Sequence, residues 1–554
     1  MNKENFKNLI ISILIIVMSG IIFFYQTKKI GYHEDEGYTI ASSVNPTNGL
    51  MVATDENGNP KWLTKEYVKN YVTLTKNNIF NFKALYQNQA YDNHPPFFYT
   101  MVHFAFLLFG GNFTKYNVFV VNIIGFILSC IIIRKILKLL NKDNLSIPTL
   151  ILYGLSMGTI SMVIFQRMYM LLTMFILAYF YLTLKIYKNN FKIDKKTIIN
   201  LGIITVLGFL TQYFFAIYAF FIFAFMIIQM YRKKVDKKII NKYFIMHIYY
   251  AIFGILLFVP CIKHLLFSDR GLNNLENTGY FNHILDYIKL LAYAFSLAKS
   301  KFLLLINLIL FFVLVVFWFI KTKEKFIASI FTIPGIFYFL IAVKMTSFQE
   351  LRYVMPMLPF ICVTIILALD TLIKSIIEYL KCKKIKEISD KSLDENTKQN
   401  IEKNINKKPN IYQSVILTVI SVIWVTIGFI NSKPLFLYAD YQKCLDIANA
   451  NSDKPFVYVY DNFFNHMQSI PEMMIYKKSL IVNVNNDNNE LGFALNNNEL
   501  NSENSFILSI KNYMDNDSII EKIKSETDFK NIEKIYEGPD SKYGVRNNLY
   551  LVSK

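Results

Sequence analysis

FLLLINLILFFVLVVFWFI, residues 302–320, runs without a single charged side chain. A helix of that length crosses the hydrocarbon core of a bilayer, and any other conformation there would leave backbone N–H and C=O groups unpaired in lipid. The pattern recurs at 8–25, 118–137, 147–165, 168–187, 198–211, 213–231, 244–260, 326–343, 354–373 and 412–430. With about 11 such runs, the chain reads as an all-α polytopic membrane protein. Composition agrees: 53% of the 554 residues are hydrophobic and only 18% charged, with 49 Phe and 36 Tyr. A disordered chain and a disulfide-built scaffold are thereby excluded, and a soluble enzyme is argued against. The excess of 59 Lys and Arg over 40 Asp and Glu gives +19, which reads as membrane topology and not as affinity for nucleic acid.

Lys and Arg concentrate in 134–144, 185–196, 232–242, 321–325 and 374–408, which hold 4, 5, 6, 3 and 10 of them. All five fall on one side when the runs alternate. This predicts a multi-pass protein of the cell membrane with a cytoplasmic N-terminus and an extracytoplasmic C-terminal domain. The first run follows Lys3 and Lys7 and no small-residue cleavage pattern succeeds it, so it reads as a retained helix. Phe97 to Phe109 is too short to span and would move every Lys-rich loop outside if it did, so a re-entrant or interfacial helix is expected. The five cysteines show no metal-ligand spacing and read as packing residues.

Four segments complete the organisation. An external loop, 26–96, contains TKEYVKNYVTLTKNNI (64–79), where Tyr67, Tyr71 and Leu74 share a helical face suited to the membrane surface. A second external loop, 261–301, carries the amphipathic HILDYIKLLAYAF. A charged cytoplasmic linker, 374–411, separates the domain 1–373 from the last spanning run, 412–430. The Asn-rich tail 431–554 contains the strand-like runs FVYVY (456–460), SLIVNV (479–484), SFILSI (505–510) and NLYLV (548–552), which point to a small α/β domain.

The polar residues capable of chemistry all fall on the external side. They are His33-Glu34-Asp35-Glu36-Gly37-Tyr38, Asn93-His94-Pro95-Pro96, Gln166-Arg167-Met168-Tyr169, Thr211-Gln212-Tyr213, Lys263-His264 with Asp269-Arg270, and Gln349-Glu350-Leu351-Arg352-Tyr353. Membrane-edge charges are costly and default to a functional reading, and their one-sidedness suggests a shared cavity. Taken singly, each has a bland reading: solvated loop for Asp35 and Glu36, a helix start for His-Pro-Pro, an interfacial anchor for Arg352. Arg167 is the hardest to dismiss, because it interrupts two apolar runs.

Their order resembles the GT-C fold integral-membrane glycosyltransferases, in the branch of protein O-mannosyltransferases and lipid A aminoarabinose transferases. The resemblance rests on Asp-Glu in the first external loop, His-Pro-Pro-Phe-Phe-Tyr, Arg-Met-Tyr-Met-Leu, Thr-Gln-Tyr and Arg-Tyr-Val-Met-Pro-Met-Leu-Pro, and covers roughly residues 1–370. It implies transfer of a sugar from a polyprenyl-phosphate donor to a cell-envelope acceptor (protein, glycolipid or polymer) on the external face. Asp35 and Glu36 would be the catalytic pair, placed in solvent, one acting as general base or helping to hold a metal. His94, Arg167 and Arg352 would lie near the carrier phosphate, with Tyr169, Tyr213, Lys263, Arg270 and Tyr353 as further substrate-binding candidates. A divalent metal is the one cofactor the resemblance admits. The aminoarabinose transferases carry an acidic residue after the position of Arg167, whereas this chain reads Arg-Met-Tyr-Met, which argues against a bound metal.

The chemistry fits these residue types independently. A phosphate leaving group calls for cationic forks that meet growing negative charge, and an acceptor hydroxyl calls for a carboxylate within hydrogen-bond reach. Two other readings stay open at this point. A transporter or flippase of lipid-linked sugars lacks the expected repeated pair of broken helices, and a non-enzymatic receptor would act through the tail. Heavy use of Ile, Lys and Asn suggests an AT-rich bacterial genome, which favours undecaprenyl over dolichyl phosphate as the carrier.

Overall fold

The computed structural model describes residues 3–554 except 48–50, 268–279, 297–300, 347–349, 390–409, 462–464, 485–489, 541–543 and 545. Among the described residues nine helices are long and apolar enough to cross a membrane: Glu4–Lys28, Asn117–Leu139, Tyr169–Lys188, Phe214–Arg232, Lys237–Leu257, Leu303–Lys321, Lys325–Met345, Met355–Lys383 and Tyr412–Asn431. The run expected as one straight span over 147–165 is instead broken. Asp143–Gly154 and Met157–Ile164 meet at 63°, where Ser156 Oγ accepts the Thr159 N–H at 3.2 Å and starts a new helix. The remaining run forms Lys195–Thr211, of 17 residues, packed against Tyr169–Lys188 and Lys237–Leu257.

Phe97–Leu108 is a helix of 12 residues, about 18 Å long at the usual rise per residue and so too short to cross by itself. It buries Phe98, Tyr99, Val102 and Phe106 against the bundle and packs on the helix Glu34–Val44. Two expectations are refined. The helix Leu358–Ser389 runs on into the charged linker as far as Ser389; residues 390–409 of the linker lie outside the described residues. The surface helix expected over 64–79 is confined to Lys65–Tyr71. It turns Val68 and Tyr71 inward while Tyr67 stays exposed, because the segment packs on the tail: Lys65 Nζ donates to Ile475 O at 3.3 Å.

Five strands of the tail and one from the first loop build a six-stranded sheet from β1 (Leu63–Thr64), β2 (Phe456–Tyr460), β3 (Lys478–Asn483), β4 (Ser505–Lys511), β5 (Asn531–Tyr536) and β6 (Asn547–Ser553), in the order β1-β3-β2-β4-β6-β5. β3, β2 and β4 run parallel and the outer pairs antiparallel. Strand alternation divides the central residues between two cores. Val457, Val459, Leu480 and Leu508 close on the tail's own helices. Phe456, Tyr458, Tyr460, Ile481 and Ile507 join the same contiguous core as the membrane helices. The α/β domain is thus fused to the bundle, and β1, contributed by the first loop, ties the two together.

The join is tight at Gly37, in the helix Glu34–Val44, where an added Cβ would lie 2.6 Å from Met467 O. Gly37→Ala is expected to push that helix off the tail, with a loss of about 1–3 kcal/mol and a lower thermal midpoint in detergent. An unchanged midpoint would show that the contact is not confining.

Candidate active site

His33 sits just before Glu34–Val44 and closes a capping box: its Nδ1 accepts the Asp35 N–H at 3.1 Å, and Glu36 Oε2 accepts the His33 N–H at 2.7 Å. The box sends the two neighbouring carboxylates in opposite directions. Glu36 is wholly buried, as is Lys29, whose Nζ lies 3.0 Å from Glu36 Oε2. Glu36 Oε1 accepts the Gln166 N–H at 2.6 Å, and Lys29 also donates to Phe436 O at 2.6 Å. The expectation that both acidic residues stand in solvent is therefore corrected: Glu36 ties the end of the first helix, the Gln166 turn and the tail into one knot.

Asp35 remains 29% exposed, and its Oδ2 is bound by Arg352 Nη1. Arg352 is held from its other side by Glu350 Oε2, 2.9 Å from Nε, and donates through Nη2 to the Tyr353 hydroxyl at 3.3 Å. His33 bridges the cluster, 3.6 Å from Asp35 Oδ2 and 3.8 Å from Glu350 Oε1. Burial alone would raise the pKa of Asp35, but the Arg352 and Arg167 guanidiniums outweigh it and hold the carboxyl well below its ordinary range. Burial is likewise overcome at Glu350, where Arg352 and His33 lower the pKa to about 2.

Arg167 comes from the turn between the broken span and Tyr169–Lys188. Its Nη1 donates to Thr39 Oγ1 at 2.5 Å, Asp35 O at 3.2 Å and the Tyr99 hydroxyl at 3.3 Å, and its Nη2 lies 3.0 Å from His94 Nε2. Its Nε is buried with no hydrogen-bond partner, a cost of about 1–3 kcal/mol unless something else accepts from it. His94 Nδ1 is in turn 2.7 Å from Asp92 Oδ2.

Six residues singled out in the sequence thus converge: Asp35, His94, Arg167 and Arg352, with Tyr169 packed edge-on against Tyr353 at 6.0 Å. Tyr213 stands at the flank, its hydroxyl 2.8 Å from His264 Nδ1. Lys263 is exposed beside it, and Arg270 lies outside the described residues. Asp92 is a participant that no quoted cluster contained, and His33 and Glu350 stood in theirs without a role of their own. Each lies within two positions of a chosen residue, but nothing in spacing distinguishes a loop acid that grips an arginine from one that faces water.

Among the described residues no group of three or more His, Cys, Asp or Glu side chains is arranged to hold a metal ion. Asp35 and Glu36 do not fit one either, since each is already committed to a cation. What the site offers is a partly exposed carboxylate bound by one guanidinium, with a second guanidinium held on its backbone carbonyl, an arrangement able to bind an anion and take a proton at adjacent points. Glu36→Gln is expected to lower the thermal midpoint sharply, since breaking a buried pair costs about 3–5 kcal/mol, whereas Asp35→Asn, at a partly exposed carboxylate, should lower it distinctly less. Equal midpoints for the two variants would refute this division of labour.

Residues 93–264 match the family described as dolichyl-phosphate-mannose-protein mannosyltransferase, a stretch that contains His94, Arg167, Tyr169, Tyr213 and Lys263. ArnT from Cupriavidus metallidurans, solved bound to undecaprenyl phosphate, superposes with a TM-score of 0.52 at 11% identity, covering 98% of this chain and 97% of that one. The oligosaccharyltransferase AglB from Archaeoglobus fulgidus, solved with an inhibitory peptide and a dolichol-phosphate, gives 0.41 at 11% identity over 93% and 71%. By sequence alone the chain matches no curated protein. The chain therefore has the GT-C membrane fold that its motifs resemble, and over residues 93–264 it carries the pattern of the mannosyltransferase family.

Proposed function

We propose that the protein is a glycosyltransferase that moves a sugar from a polyprenyl-phosphate carrier to an acceptor hydroxyl on the external face of the membrane. The observation that carries this reading is the partly exposed Asp35 carboxylate bound by Arg352, with Arg167 held beside it on the Asp35 backbone carbonyl. In the reaction Asp35 takes the proton of the acceptor hydroxyl as its oxygen bonds to the anomeric carbon. The bond from that carbon to the phosphate oxygen breaks, and the carrier phosphate leaves with the electron pair. Negative charge grows on the phosphate, where guanidinium donors aimed beforehand lower the barrier; the buried Nε–H of Arg167 is one such donor.

A place for the prenyl tail lies close by. A cavity of 720 Å³ between the helices Lys301–Lys321, Lys325–Met345 and Leu358–Ser389 is lined almost wholly by apolar side chains, among them Phe311, Phe339, Met357, Phe360 and Trp424. Met357 follows Arg352 by little more than one helical turn, so a lipid whose phosphate meets the arginines can lay its chain into that space. Protein, glycolipid and envelope polymer all present a hydroxyl that the carboxylate could accept from. The transporter reading loses ground because, among the described residues, Asp35, Glu350, Arg167 and Arg352 converge on one another.

In the resting site Asp35 occupies the guanidinium that the phosphate needs, and Arg352 in return keeps Asp35 a poor base. Donor binding and base activation are then one exchange. The test is reconstitution in nanodiscs with undecaprenyl-phosphate-linked sugars and cell-envelope acceptors. Transfer is expected from the wild-type protein and not from Asp35→Asn, while Asp35→Asn binds undecaprenyl phosphate more tightly because Arg352 is released. An active Asp35→Asn, or one that binds the carrier more weakly, would remove Asp35 from the base position. A second measurement uses the acid limb of the pH profile of kcat/KM, which reports the free enzyme's base. Arg352 depresses the Asp35 pKa, so Arg352→Gln should move that limb to higher pH on whatever activity remains. A limb that stays in place would assign it to another group.

A further inference from the structure

Asp92 belongs to none of the motifs that marked its neighbours, yet it begins a chain of polar contacts that ends at the proposed phosphate-binding arginine. Asp92 Oδ2 is 2.7 Å from His94 Nδ1, and His94 Nε2 is 3.0 Å from Arg167 Nη2. A guanidinium can only donate. For the second contact to be a hydrogen bond, Nε2 must present its lone pair, so the imidazole proton sits on Nδ1. A carboxylate at Nδ1 selects that tautomer. The other tautomer would set N–H against N–H at Arg167 and turn a ring lone pair toward Asp92, and an imidazolium would press a second cation on the guanidinium. The Asp92 and His94 side chains are 11% and 13% exposed, so water competes little for these bonds.

We propose that Asp92 is a positioning residue that fixes the tautomer of His94 and so holds Arg167 in place for the carrier phosphate. The proposal rests on the reading that Arg167 meets that phosphate. It also explains a feature of Arg167 itself: Nη1 is shared among Thr39, Asp35 O and Tyr99, while on the other branch His94 is the side chain that stops the fork from swinging.

The test is the dissociation constant for undecaprenyl phosphate, measured in nanodiscs without any sugar or acceptor. Arg167→Ala examines the parent reading: unchanged affinity would overturn it. Given weakened binding there, Asp92→Asn is expected to weaken binding by about tenfold, the low end of what outer-shell partners contribute at other sites. Asn can turn its amide to donate to Nδ1 and drive the proton to Nε2. His94→Gln supplies an oxygen that accepts from Arg167 with no tautomer to choose, so Asp92→Asn in the His94→Gln background is expected to cost nothing more. Asp92→Glu should recover most of the affinity. Wild-type binding by Asp92→Asn, additive losses in the double variant, or no recovery by Asp92→Glu would each overturn the assignment while leaving Arg167 at the phosphate. If Asp92→Asn does not fold, the same cycle is read with Asp92→Ser.

Discussion

The buried pair of Glu36 and Lys29 is the constraint on which the rest is arranged. Both side chains are fully excluded from solvent, so each charge has given up its hydration and is stable only while the other is present. The pair is also saturated from outside. Glu36 takes N–H donors from His33 and Gln166, and Lys29 gives one to Phe436 O. Five points of the chain, from the first membrane helix to the start of the tail, meet on three charged side-chain atoms. Asp35 and Arg167 inherit their positions from it: one precedes Glu36 and the other follows Gln166. A buried, paired carboxylate thus fixes the geometry of the one proposed to act as base.

That arrangement explains which parts of the molecule were legible in the sequence. The spanning helices were, since lipid enforces long uncharged runs, and FVYVY returned as β2 with its ends unchanged. The bend in 147–165 was not, because Gly154 and Ser156 are unremarkable in an apolar run until the Ser156 cap is seen. β5, NIEKIY, alternates too weakly to mark an outer strand, and β1 is two residues whose only strand signal is its partner, Lys478–Ser479, more than four hundred positions away. Asp35 and Glu36 read alike in sequence. Their separation depends on Lys29 and Arg352, and helical periodicity cannot reveal which cation reaches which acid.

The tail has a different standing from the one its composition suggested. A receptor module would keep its own core and meet the bundle through a modest polar surface. Here one face of the sheet shares its core with the membrane helices, the first loop supplies a strand, and Lys478 lies 4.3 Å from the Trp62 ring of that loop. The tail therefore acts as the outer wall of the Asp35 helix, closing against it at Gly37 and Met467. A domain built this way bears on the site through geometry, whatever else its far surface binds.

The two arginines are held by different kinds of partner, and under the proposed reaction that difference matters. Arg352 lies between the carboxylates of Asp35 and Glu350, so its charge is spent within the site until one of them is displaced. Arg167 is held by a hydroxyl, a phenol, a backbone carbonyl and a ring nitrogen, all neutral dipoles. These fix its orientation with no carboxylate in contact, although the Asp35 charge acts on it from nearby. In a region of low dielectric a cation without a contacting carboxylate attracts an incoming phosphate more strongly than one already paired. The carrier would then be captured first at Arg167, and the phosphate so placed can compete with Asp35 for Arg352. Capture by one guanidinium and exchange at the other give an order of events in which the base becomes available only once there is a donor for it to act beside.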